Sequence, residues 1–466
     1  MTKSTLLALS LAVGFSVSAE MNLKDAIKSA IKTHPTVKAQ QASVDAAGHR
    51  VDQAKSGYLP SLDLRIAGGM EQSENTSVIA EGDQHKDLRR FESSLKLTQN
   101  LYTGGALTSG VDQANATLAE QSYRLISAAD SVVLKAIEAY LGVLRNQELI
   151  AISQENVVAH KEILETTEQR HKEGLARKSD IIQVKGRLAL AKAQLQRELA
   201  NKAAVSARFI EAIGVQADGL ATAPSQAGLL PAELTSAQTA AIATHPELKA
   251  FAKSFERAQA AVKAAKAAYQ PNLVLEVSAD ENDGLSGVEG NNDSYKAMAV
   301  TNWNLFKGGA DKANVNSLSS EAQQVSKQAE ARSREIKRDV AIAWYDRDAS
   351  LVELNYFTNH LATVKNTLEA YTEQYKLGKR TLFDLLNSRE ELFQASGRVI
   401  ETSYTTQQST YNILAEMGTL STTLTAEEAP KVVAAPVVKE TPKAEAKVEA
   451  VVVPAVEEAP KAEVVV

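Results

Sequence analysis

The sequence predicts a mainly α-helical protein with a membrane β-barrel portion. Three observations predict it. The chain is an internal duplication, each copy holds two strand-like runs before a very long stretch free of helix breakers, and no segment after the N-terminus is apolar enough to be a transmembrane helix. A chain that crosses a membrane without such a helix must do so as a closed barrel, because lipid satisfies no backbone polar group.

The duplication rests on landmarks that recur in order. Thr33-His34-Pro35 returns as Thr244-His245-Pro246 and Tyr58-Leu59-Pro60 as Tyr269-Gln270-Pro271, both at an offset of 211. Leu101-Tyr102-Thr103-Gly104-Gly105 returns as Leu305-Phe306-Lys307-Gly308-Gly309 at an offset of 204, which also aligns Ala139-Tyr140 with Ala343-Trp344, Gly174 with Gly378, Asp180 with Asp384 and Gly214 with Gly418. The offset changes once, as a loop deletion would make it. A repeat of this length means two complete structural halves, not the short units of a solenoid.

Each half then reads in the same order. Residues 21–57 and 235–268 read as helix, with Leu23, Ile27, Ala30 and Ile31 on one face. After Pro60, Leu62, Leu64 and Ile66 alternate with Ser61, Asp63 and Arg65, and after Pro271, Leu273, Leu275 and Val277 alternate with Val274, Glu276 and Ser278. The expected strand pairs are 61–68 with 91–100 and 272–280 with 295–304, of the length a tilted membrane-spanning strand needs. Alternation of this kind suits a soluble hairpin equally well.

Beyond each Gly-Gly lies a helical hairpin, 105–215 and 309–418, with no proline in it. Gly174 and Gly378 suit left-handed C-caps at the turns, and Asp180 and Asp384 suit the start of the returning helices. Ile181, Val184, Leu188, Ala191 and Leu195 step by three and four, as do Leu385, Ser388, Leu392, Ala395 and Val399. The outgoing helices should run on the order of 100 Å at about 1.5 Å per residue.

Four strands close no useful barrel, and an open edge cannot face lipid, so strands must be pooled between copies. Three protomers would supply twelve strands, an even-numbered barrel of plausible size, above a closed cylinder of helices.

The ends of the chain carry their own signals. Lys3, the apolar run Leu6 to Val17 and Val17-Ser18-Ala19 read as a cleavable signal peptide, residues 1–19. The first repeat is assigned to 20–218, a linker to 219–234 and the second repeat to 235–421. Residues 422–466, rich in Pro, Ala, Val, Lys and Glu, read as a disordered tail hanging in the periplasm.

With its Gln99-Asn100-Leu101-Tyr102-Thr103-Gly104-Gly105 and Asn304-Leu305-Phe306-Lys307-Gly308-Gly309 strand ends, its two glycine tips and its duplication, the chain resembles the TolC family of outer-membrane channels over about residues 20–420. These are the outer-membrane components of tripartite efflux pumps and type I secretion systems. The resemblance implies a homotrimer in outer-membrane lipid, with a 12-stranded barrel and a coiled-coil periplasmic tunnel. It implies two further partners, a periplasmic adaptor and an inner-membrane transporter of the ABC or RND type. By the same resemblance the adaptor docks at the tips, here Gly174, Leu175, Gly378 and Lys379. The gate latch matches Asp180, accepting hydrogen bonds from Tyr375 and Arg380. Asp384 matches a ring of carboxylates at the aperture, three of which would raise one another's pKa. The family's second acid, one turn on, is Asn387 here, which leaves one ring.

Other chemistry finds no support. A net charge of -6 with no basic cluster argues against nucleic acid. There is no Cys, and no nucleotide, hydrolase or metalloprotease signature, so no enzyme activity and no cofactor are expected. Asp280-Glu281-Asn282-Asp283-Gly284 departs from a calcium loop at its Gly and at Asn291, and reads as an acidic extracellular loop. His34 and His245 read as helix-end residues. The functional expectation is a passive exit duct, with type I protein secretion set slightly ahead of small-molecule efflux. A periplasmic adaptor or a structural coiled coil are the alternatives of other classes, and neither explains two hairpins alternating with strand pairs.

Overall fold

The structure, a computed structural model, describes residues 20–74, 85–224 and 227–425. The expected signal peptide lies outside these residues, as does the tail beyond Thr425. The first repeat runs α1 (Leu23–Thr33), α2 (Pro35–Ser56), β1 (Ser61–Ser73), β2 (Lys86–Tyr102), α3 (Ala106–Lys172) and α4 (Lys178–Ile213). The second runs α5 (Leu234–Thr244), α6 (Pro246–Lys266), β3 (Asn272–Asp283), β4 (Asn291–Asn302), α7 (Ala310–Lys376) and α8 (Leu382–Glu416), and is followed by a single turn, α9 (Leu420–Leu424).

Each expected opening helix is two helices, and the Thr-His-Pro motif is the joint. Proline cannot continue a helix but suits the first position of a new one. His34 and His245 are the N-caps, and each accepts at Nδ1 from the backbone N–H two residues on, Thr36 or Glu247, at 3.2 Å. The Thr33 hydroxyl donates to the Ile213 carbonyl at 3.3 Å, and Thr244 repeats this with Met417 at 3.5 Å. The motif therefore also receives the end of the returning helix of its own half.

The outgoing helices α3 and α7 have 67 residues each, whereas α4 has 36 and α8 has 35. A returning helix thus covers about half of its partner. The other half is covered by the short helices: α2 lies on α3, and α6 lies on both α3 and α7. Both outgoing helices start from a Gly-Gly corner whose residues all have positive φ, 62° and 89° then 59° and 87°, a conformation that favours glycine. Cores form at equivalent places. Tyr140 is fully buried with Ile137, Phe209 and Ile213, and its repeat partner Trp344 is buried with Ile336, Val340 and Ile413. Tyr140 also donates to the Met21 and Ala221 carbonyls, at 2.9 and 2.5 Å, so its hydroxyl is not stranded.

The first residues assigned to the tail are helical. Residues 422–424 complete α9, where Leu420 is buried and the Ser421 N–H donates to Asp130 at 2.7 Å. Burial pushes the Asp130 carboxyl above its usual range, which the Ser421 hydrogen bonds partly oppose.

Strands β1 to β4 form one antiparallel sheet in sequence order. The first hairpin is longer than expected, reaching Ser73 and back to Lys86, because a ladder needs backbone bonds and not apolar alternation, which stops at Ile66. In the second hairpin β3 also runs on, through Asp283, so residues 280–283 belong to a strand and not to an acidic loop. At its other end β4 stops at Asn302, and Trp303 leaves the sheet to donate from its indole N–H to the Tyr269 carbonyl at 3.3 Å.

Candidate functional site: a two-faced sheet and two helical tips

The register sorts the sheet into two chemically distinct faces, since directly opposed residues share a face. Leu62 opposes Leu97, which opposes Val277, which opposes Ala297; Leu64, Leu95, Ala279 and Tyr295 form the next row. This face is apolar yet open, with Leu62, Leu64 and Ile66 between 62% and 65% exposed. Below it, Tyr58, Tyr102, Tyr269 and Trp303 are exposed at the strand ends that meet the helices, where an aromatic belt would sit at a membrane interface. Among the described residues no helix is long and apolar enough to cross a membrane.

The opposite face is a ladder of charges. Arg65 pairs with Glu92 at 2.7 Å, Lys96 with Glu276 at 3.1 Å and Lys296 with Asp280 at 3.8 Å, while Arg90 bonds both Glu71 and Glu92. Asp280 further accepts from the Ser94, Ser278 and Ser294 hydroxyls. One face suits hydrocarbon and the other suits water. Among the described residues both outer edges, on β1 and β4, carry no further strand.

At the far end, each helical hairpin turns through a tight cap. In the first, Gly174 has φ 78° and the Leu175 N–H reaches back to the Arg170 carbonyl at 2.7 Å; in the second, Gly378 has φ 70° and the Lys379 N–H reaches Gln374 at 2.8 Å. These are Schellman-type closures, and they leave Leu175 and Leu377 exposed at the tips. His171 Nδ1 lies 2.8 Å from the Ala176 carbonyl and tightens the first turn.

Within one protomer the expected latch residues are engaged elsewhere. Asp180 accepts from the Arg177 backbone N–H at 3.0 Å through Oδ2, as an N-terminal helix residue does. Tyr375 packs on Val184, Leu382 and Leu386, under the Arg170 guanidinium at 4.8 Å. Arg380 lies over the Tyr371 ring at 4.2 Å, donates to Gln374 at 3.0 Å and pairs with Asp384 at 3.9 Å. Asp384 forms a capping box with Thr381, accepting from its hydroxyl at 2.8 Å and its N–H at 3.3 Å. The Thr381 hydroxyl and backbone hold this carboxyl below its usual range, and Arg380 adds to the effect. Like-charge repulsion at an aperture would act against that direction. Asn387 accepts from Arg187 at 2.8 Å, which ties the two returning helices together 200 positions apart. No sequence spacing announces such a pair, because it depends on how the two hairpins meet.

An apolar and a charged face on one open-edged sheet, carried on two long helical hairpins, define an outer-membrane channel protomer. The model of the family described as outer membrane efflux protein matches residues 26–215 and 238–419, one match per repeat, and the chain belongs to that family. Its members are passive channels and not enzymes. The chain is 22% identical to the outer membrane efflux protein BepC of Brucella suis, over 86% of each chain. It is 22% identical to the alkaline protease secretion protein AprF of Pseudomonas aeruginosa, over 82% of each. In fold it matches the Campylobacter jejuni CmeC outer membrane channel with a TM-score of 0.74 at 15% identity, covering 85% of this chain and 86% of that one. The chain is an outer-membrane efflux channel whose helices form the periplasmic tunnel.

Proposed function

We propose that three copies of this chain close into a single exit duct, and that this duct exports protein in a type I secretion system. The observation that carries the closed assembly is the sheet: two bare edges cannot face lipid, and twelve pooled strands leave none. The helices support it. Ile342, Tyr345, Val352 and Tyr356 form an exposed stripe on α7, while Ala189, Ala193, Ala200, Ala203 and Ala207 form an exposed stripe of small side chains on α4. Both stripes keep heptad-compatible spacing, so the large side chains of one copy fit the spaces on the next. Light scattering of the detergent-extracted protein is expected to give a trimer, and Ala200→Trp a monomer. A wild-type monomer, or a trimer indifferent to that substitution, overturns the assembly.

Protein cargo is supported by the likeness to AprF, whose name states secretion of a protease. The likeness to BepC, named an efflux protein, favours small molecules as the second reading. In either case a periplasmic adaptor docks at Gly174, Leu175, Gly378 and Lys379. The inner-membrane transporter behind it is of the ABC or RND type. Crosslinking the tagged channel in its native cells and identifying the captured transporter decides between them.

The gate follows from the tips. Asp180 uses only Oδ2 on its cap, which leaves Oδ1 able to accept from Tyr375 and Arg380 in the closed assembly. Three Asp384 carboxylates, whose charged form Thr381 and Arg380 favour in each copy, ring the aperture and bind cations. Asp384→Ala is expected to abolish divalent-cation block of channel conductance. Block unchanged in that variant would remove Asp384 from the aperture.

A further inference from the structure

Where α3 meets the second hairpin it buries polar side chains in a row. Ser153, Asn156, His160 and Thr167 follow one another at steps of three, four and seven and are all buried. Ser153 and Thr167 satisfy themselves on carbonyls of their own helix, both at 2.7 Å. Asn156 does not, since neither atom of its amide has a partner, and His160 Nδ1 has none. On α8, Ser388 Oγ and Arg389 Nε are likewise buried without partners. Buried polar atoms left unpaired weaken a packed interface, so this one is held less firmly than its burial suggests.

His160 is the titratable member of the row, only 1% exposed. The charged groups that act on it come from both returning helices: Arg187 of α4, and Arg389 and Glu390 of α8. Glu162 of α3 acts in turn on Arg389. Two guanidiniums and one carboxylate thus act on a ring whose buried Nδ1 has no partner. Arg187 is the residue that bonds Asn387, and the apolar contact of Val184 with Leu382 and Leu386 lies on the same two helices. His160 therefore sits at the joint that holds the two hairpins together near the tips.

We propose that His160 is a proton-operated wedge: neutral, it lets the two hairpins stay packed above the aperture; protonated, it forces them apart and favours the open tunnel. The direction follows from linkage. Burial first, then the two arginines, hold the ring's pKa below its ordinary 6.5, with Glu390 opposing. The packed state is fully favoured above that ordinary value and loses ground as pH falls through it. His245 is a second buried histidine, but it caps α6 beside Glu247 and Arg332, away from this joint.

The inference rests on the channel reading, and two readouts on the full-length protein keep the two apart. Open probability in planar bilayers should rise at least about threefold between about pH 7.5 and pH 5.5 in the wild type. His160→Gln should respond little, and His245→Asn, which keeps a capping side chain, should respond as the wild type does. Amide exchange across residues 382–398, corrected for its intrinsic pH dependence, should lose protection over the same interval in the wild type only. His160→Asn provides a smaller neutral variant. An acid response surviving in both His160 variants, or protection that does not change in the wild type, overturns the wedge. Exchange that responds in a folded protein which conducts at no pH keeps the wedge and sinks the channel.

Discussion

Arginine in place of Leu64 is expected to remove the protein from the outer membrane, while arginine in place of Thr98 leaves it there. Leu64 stands in the apolar row with Leu95, Ala279 and Tyr295, near the start of a strand whose other face carries Asp63 and Arg65. A guanidinium on the lipid face of a barrel costs up to roughly 2–4 kcal/mol, less toward the interfaces, and every copy in a closed assembly bears it. Thr98 lies on the charged face, opposed by Ser61 and Glu276, where a cation meets water and a carboxylate. The contrast that decides the outcome is the face on which the charge is placed. The amount of folded protein in the outer-membrane fraction, read by seminative electrophoresis and heat modification, separates the two. Equal loss of both would mean that charge anywhere in the sheet is intolerable and that the faces have been misassigned. Equal survival would mean that the apolar face does not contact lipid.

That the two faces could be foreseen at all is due to the period of a strand. Leu62, Leu64 and Ile66 advertise one side of β1 without any knowledge of its neighbours. Duplication made the rest of the architecture legible, because each weak landmark occurs twice in the same order. The extent of the ladder was not legible, since Gly69 to Ser73 pair with Lys86 to Arg90 through backbone bonds that no hydropathy pattern records. Nor was the stacking of α2 and α6 on the upper halves of α3 and α7, which the amphipathic pattern of each helix permits without specifying the partner. The tips were read correctly as turns, because glycine at a left-handed cap is a local requirement. Their side-chain partners are a different matter. Asp180 and Asp384 accept at their own helix starts, while Tyr375 packs on Val184 and Arg380 donates to Gln374, partners that glycine spacing does not announce. The buried His160 and the Arg187–Asn387 bond were missed for the same reason, as both exist only where one hairpin touches the other.

The glycines that end the helices offer the second large effect, because chemically identical substitutions should differ in a stated order. Gly378, Gly214 and Gly418 all have positive φ, at 70°, 86° and 66°. Alanine at any of them pays the left-handed backbone cost, roughly 1–2 kcal/mol. At Gly378 nothing else is met, since no heavy atom lies within 4 Å of the new methyl. At Gly214 it would lie 3.0 Å from the Thr33 hydroxyl oxygen, which a small rotation of that side chain relieves at the expense of its bond to Ile213. At Gly418 it would lie 2.4 Å from the Pro246 ring and 3.0 Å from the His245 Cα, and neither can turn away. Relief there requires α8 to withdraw from the α5–α6 joint, which loosens the His245 cap and the cover of α7 together. Overpacking of this kind adds about 1–3 kcal/mol, so Gly418→Ala should be the most destabilising of the three and Gly378→Ala the least. Thermal unfolding of the helical signal reads the order directly. A Gly378→Ala as damaging as Gly418→Ala would mean that backbone strain alone sets the cost, and that the Thr-His-Pro joint bears no load in holding the returning helix.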